Sequence, residues 1–106
     1  MNLPKSIKVL GITYKVTSPE EYLAMMGRWG ETHNLTGEIR VAVEHGRNDR
    51  IRETLLHEIF HAIIAEILST GDFPEERIVE SLASGLWAVF RDNPSLLTYL
   101  KEYKND

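Results

Sequence analysis

The chain has 106 residues, 42% of them hydrophobic, and 16 acidic against 12 basic side chains give a net charge of −4. That length suits one domain, residues 1–106, with one real core and little room for a separate regulatory module, and the negative balance argues against nucleic acid or an anionic membrane as the main partner. Without cysteine, disulfides and thiolate ligands are excluded, so any metal must be held by imidazole and carboxylate.

The opening run MNLPKSIKVLGITYKV is interrupted by charge or proline every few positions and builds neither a signal peptide nor a membrane span, which makes the cytoplasm the expected location. Ile7 to Leu10 and Ile12 to Val16 are β-branched runs parted by Gly11, reading as two strands or one bent strand. Ser18-Pro19-Glu20-Glu21 carries an N-cap, a first-turn proline and a capping-box carboxylate, so a short helix is expected to run to about Met26 before Gly27. Arg28 to His33 and Glu38 to Val43 flank the turn-rich Asn34-Leu35-Thr36-Gly37 and predict a hairpin.

From Asp49 to Ser69 the period changes. Ile51, Leu55, Leu56, Ile59, Phe60, Ile63, Ile64, Ile67 and Leu68 recur at helical spacing, and Thr70-Gly71 closes the segment. Asp72, Pro74 and Glu75 repeat the capping logic and open a helix with the stripe Ile78, Val79, Leu82, Ala83, Leu86, Val89 and Phe90, stopped by Asn93-Pro94. Pro94 to Tyr103 predicts a short final helix. The expected class is α+β, a small antiparallel or mixed sheet with a short helix, followed by one long helix and one or two packing helices.

The chemistry sits in HEIFH, residues 57–61. Residues four apart share a helix face, so His57 and His61 can point ring nitrogens at one ion, supplying half of a tetrahedral zinc shell. Glu58 is turned by about 100° from His57, beside such a metal, where a carboxylate suits the role of base towards a metal-activated water. The competing reading is an exposed amphipathic helix carrying these residues for solubility. A random chain of average composition would contain the pattern only roughly once in several hundred cases, and the apolar AIIAEIL that follows argues for a half-buried position.

A catalytic zinc site needs a third protein ligand. The extended pattern with glycine and a third histidine is ruled out, because those positions hold Ile64 and Ile67. The next helix offers Glu75, Glu76 and Glu80. The first two sit in a first turn that favours carboxylates anyway; Glu80, mid-helix at the edge of the apolar stripe, would be costly to bury unpaired and is the first choice, with Glu76 second. His33, His45, Tyr99 and Tyr103 read as ordinary surface or packing residues, Trp87 as core, and Glu53 as a solvated carboxylate that could otherwise orient a ligand.

HEIFH followed by Glu80 in EERIVESLASGLW resembles the gluzincins, zinc metallopeptidases with two His ligands and one Glu, over about a third of the chain. GEIRVAVE leading to RIRETLLHEIFH looks like the small ImmA/IrrE-type peptidase domains. The resemblance implies a zincin-like fold, a zinc ion held by His57, His61 and Glu80, Glu58 as general base and acid, and a protein or peptide substrate. By the same similarity, extended substrate would pair with an edge strand over Glu38 to Val43. Two other readings stay open: a non-catalytic interaction domain stapled by zinc, and a hydrolase of non-peptide bonds. Oligomeric state is not legible.

Overall fold

The computed structural model of the chain describes residues 3–44, 46–67 and 74–102. Within them the elements run β1 (Ser6–Val9), β2 (Ile12–Thr17), α1 (Glu20–Met26), β3 (Gly30–His33), β4 (Glu38–Val41), α2 (Asn48–Ile67), α3 (Glu75–Asp92) and α4 (Pro94–Lys101). The protein is α+β. The strands form one mixed sheet in the order β1-β2-β4-β3, antiparallel between β1 and β2 and between β4 and β3, parallel between β2 and β4.

Alternation decides which strand faces are buried. Ile7 and Val9 of β1 and Ile39 and Val41 of β4 point inward while their neighbours do not, as a sheet covered on one face requires. Against that face α2 lays Leu55, Ile59, Ala62 and Ile63, and Val89, Leu96 and Tyr99 from α3 and α4 complete the core. Tyr14 of β2 is fully buried, and its hydroxyl donates to Glu66 Oε2 at 2.6 Å, tying the sheet to the far end of α2. Burial first, and the Glu66 carboxylate second, push the Tyr14 phenol well above its usual range. Among the described residues no helix is long and apolar enough to cross a membrane.

Three local expectations are corrected. The strand from Glu38 is no edge: Lys15, Val16 and Thr17 pair in parallel with Glu38, Ile39 and Arg40 on one side, and β3 pairs on the other. The free edge beside α2 is therefore β3. A hairpin pattern reveals only the local partner; the parallel partner, reached through α1, is non-local. Ser18 does not cap α1 either, since its hydroxyl donates to Val41 O, and Glu20 instead accepts from the amides of Val43 and Glu44. The first-turn carboxylate thus fixes the chain leaving β4. Finally, Trp87 is 65% exposed rather than core. The caps at Asp72 and Thr70-Gly71, and the end of α4 at Tyr103, lie outside the described residues.

α4 is fastened by a buried cation. Arg52 of α2 donates through Nε to Tyr99 O and through Nη2 to Glu102 O, both at 2.8 Å, and its guanidinium stands 4.3 Å from the Tyr99 ring centroid. These carbonyls lie at the end of α4, where helical donors run out; Tyr99 O also accepts from the Glu102 amide at 3.3 Å. Arg52→Met keeps the packing of the stem and removes the guanidinium donors from both carbonyls, so the chain should lose about 1–2 kcal/mol in urea unfolding; Arg52→Lys should not restore it, because a point charge cannot serve both acceptors in the fork geometry. An unchanged midpoint for Arg52→Met would show the clamp to be dispensable.

Candidate metal centre

α2 displays HEIFH so that the motif splits between two environments. His57 and His61 are exposed, whereas Glu58 is only 5% exposed and Ile59, Ala62 and Ile63 are in the core. With 3.6 residues per turn, one face of α2 meets the sheet and the opposite flank carries both imidazoles. Their Nε2 atoms lie 3.2 Å apart, with ring centroids 4.8 Å apart and planes inclined at 68°.

Glu58 is held by the edge strand. The Thr32 hydroxyl lies 2.7 Å from Glu58 Oε1 and 3.0 Å from its backbone carbonyl, the shorter contact being to the carboxylate. Gly30, two residues back on the same strand face, makes this approach possible: a Cβ there would stand 2.8 Å from Thr54 Cγ2 and 3.1 Å from Glu58 Cγ. β3 and α2 therefore meet closely enough for a strand hydroxyl to orient a helix carboxylate. Among the described residues Glu58 has no cationic partner, an arrangement that costs stability.

Along this junction runs a groove of about 520 Å³, lined among others by Thr32, His33, His57, Glu58 and His61. Its β3 wall is stiffened by a second cluster. Glu31, 6% exposed, accepts from His33 Nε2 at 2.9 Å, Tyr22 Oη at 3.2 Å and Arg40 Nη1 at 3.2 Å, and pairs with Arg28. The His33 hydrogen bond above all, then Tyr22, Arg40 and Arg28, outweigh burial and hold the Glu31 carboxyl below the usual carboxylate range.

No family model, curated protein or solved structure matches the chain.

Two nitrogens bound to one tetrahedral zinc at about 2.0–2.1 Å must lie roughly 3.3–3.4 Å apart, and the observed 3.2 Å is close to that span. The pair fits half of a zinc shell. Glu80, exposed on α3, is not brought into a group with it: among the described residues no three His, Asp or Glu side chains converge tightly enough to hold a metal ion. Because Glu80 is exposed, the burial cost that singled it out in the sequence does not arise. Glu76 is exposed as well, as is Glu53.

Of the other candidates, Tyr99 is buried against Arg52 and serves packing, and His45 and Tyr103 lie outside the described residues. His33, read as an ordinary residue, stands on the groove wall. Thr32, Gly30 and Glu31 were missed altogether. Their only signal was the alternation in GETH, which sends Gly30 and Thr32 to one strand face and Glu31 and His33 to the other.

Proposed function

We propose that the protein is a small zinc-dependent metallopeptidase of gluzincin type, acting on a protein or peptide substrate through a minimal zincin-like fold. The observation that supports this most is the pair of facing imidazoles on α2 beside a buried carboxylate with no cationic partner among the described residues, all opening on one groove. A solubilising helix face has no need to bury its glutamate.

His57 and His61 are the proposed imidazole ligands and Glu80 of α3 the proposed carboxylate, which does not converge with them in this structure and would have to approach for the shell to close. Zinc bound there supplies Lewis-acid activation, lowering the pKa of water towards ~7 and polarising the scissile carbonyl. Glu58 then acts as general base and acid. Thr32 holds Oε1, which leaves Oε2 to take the proton and deliver it to the leaving amine. An extended substrate segment would add to the free edge of β3, so its backbone would run along the groove wall next to Glu58.

Elemental analysis of the protein purified without chelator tests the shell. About one zinc per chain is expected, lost in His57→Ala and His61→Ala, sharply reduced in Glu80→Ala and kept in Glu76→Ala. Loss in Glu76→Ala alone would reassign the third ligand. A protein that takes up no divalent metal under any condition would remove the metallopeptidase reading.

A further inference from the structure

α3 turns Ser81, Gly85, Ala88 and Val89 inward, against α2 and β1. Its opposite face carries Val79, 53% exposed, Ala83, and Trp87, 65% exposed, at successive intervals of four residues. Single exposed apolar side chains are ordinary on a protein surface, but a Trp and a Val in series on one helix face, with a small residue between, form a patch. Beside Trp87 a shallow depression is lined by Ala83, Ser84, Ala88 and Arg91. Charge on the exposed side of this helix is uneven: Glu75, Glu76, Arg77 and Glu80 lie in its first half, and Arg91, stacked 5.0 Å over the Trp87 ring, in its last turn.

We infer that this face binds a second copy of the chain, two α3 helices packing antiparallel about a two-fold axis at Ala83. Charge decides both the occupant and its direction. Counting outward from Ala83 in both directions, Val79 and Trp87 are each four residues away, and Glu75 and Arg91 each eight. An antiparallel partner therefore sets Val79 against the partner's Trp87, Ala83 against its own equivalent, and Glu75 against the partner's Arg91. A parallel partner would set Arg91 against its equivalent and the acidic turn against its own copy. The helix is complementary to itself in one orientation only, as an isologous interface demands. Ala83 and Ser84 at the crossing allow the axes to approach closely, and the Asp92 carboxylate now paired with Arg91 on the surface is a weak competitor.

The interface rests on α3 alone and not on the metallopeptidase reading: Val79, Ala83, Trp87 and Arg91 do not line the groove, whereas Glu80, the carboxylate that reading gives to the metal, lies on the same helix three residues from Ala83.

The test uses the full chain. Sedimentation velocity should show a monomer–dimer equilibrium with a dissociation constant in the micromolar range, as for a small helix-pair interface. Trp87→Ala should weaken it by at least ~30-fold, the behaviour of a central aromatic anchor. Arg91→Glu should weaken it too, and combining Arg91→Glu with Glu75→Arg and Glu76→Arg should restore it. Because the chain has no cysteine, Ala83→Cys places one thiol at the axis; mild oxidation should convert it to a disulfide-linked dimer, whereas Ser95→Cys, on the exposed start of α4, should stay monomeric. A wild-type chain that remains monomeric at roughly 300 µM, far above that range, overturns the inference. So does equal cross-linking of the two cysteine variants, or a dimer that Trp87→Ala leaves intact.

Discussion

Glu58→Gln should abolish hydrolysis while making the metal-free fold more stable. The two effects have opposite signs because one carboxylate is responsible for both. Buried at the β3–α2 junction with a single hydroxyl donor and no cation among the described residues, it is an expensive group for the fold to carry. Glutamine has the same shape and still accepts from Thr32 through its carbonyl oxygen, so the charge is removed and the hydrogen bond kept. The expected gain is about 1 kcal/mol, or about 4 °C in Tm for a domain of this size. A primary amide cannot take a proton from water at neutral pH, and loss of a general base of this type lowers turnover by roughly 10²–10⁴-fold. Zinc content should not change, because His57 and His61 are untouched. The comparison needs zinc analysis, thermal unfolding and cleavage of a peptide library. Retained cleavage would show that the base is misassigned; a loss of stability would show that the carboxylate is part of the scaffold and not a functional burden.

Gly85→Val should destabilise the protein by at least about 3 kcal/mol, the largest effect expected of a single substitution outside the groove. At Gly85 α3 crosses α2, and a Cβ would collide with Cγ2 of Ile63 while standing 3.4 Å from its Cβ and Cγ1. Ile63 is fully buried and, being β-branched on a helix, has one strongly preferred χ1. Neither side can yield, so the helices must separate, carrying with them the contacts between Ile63, Val89 and the rest of the core. Helix propensity predicts the reverse, since valine is a better helix former than glycine. Urea unfolding decides between the two: a small or favourable change would mean the helices can move apart freely. Coupling with Ile63→Ala sharpens the test, because removing Cγ2 relieves the collision and the double variant should cost clearly less than the sum of the singles.

Much of the fold was legible from local pattern. The β-branched runs, the turn at Asn34 to Gly37, the helical period through α2 and α3, and Asn93-Pro94 as a stop all correspond to observed elements. These signals are local, each arising from residues a few positions apart. Capping was less legible: Ser18 and Glu20 found partners on Val41, Val43 and Glu44, more than 20 residues away in sequence, in place of the adjacent helix amides. The apolar stripe of α3 was legible as a stripe, but not as two faces. Leu82, Leu86 and Val89 turn to the core side, whereas Val79, Ala83 and Trp87 turn outward, and hydrophobicity alone does not distinguish a residue that packs inside its own chain from one exposed on its surface.

By itself the sequence determined that His57 and His61 share a helix face one turn apart, because the α-helical repeat allows nothing else. It equally determined that a metal in this chain can meet only nitrogen and oxygen ligands. Which strand lies free beside those histidines was decided by tertiary structure alone: the parallel pairing of β2 with β4 leaves β3 as the edge. The same is true of the hydroxyl that holds Glu58, brought from Thr32 by a close strand–helix approach that only Gly30 allows. Contacts of this kind join residues far apart in the chain, and no periodicity of the sequence encodes them.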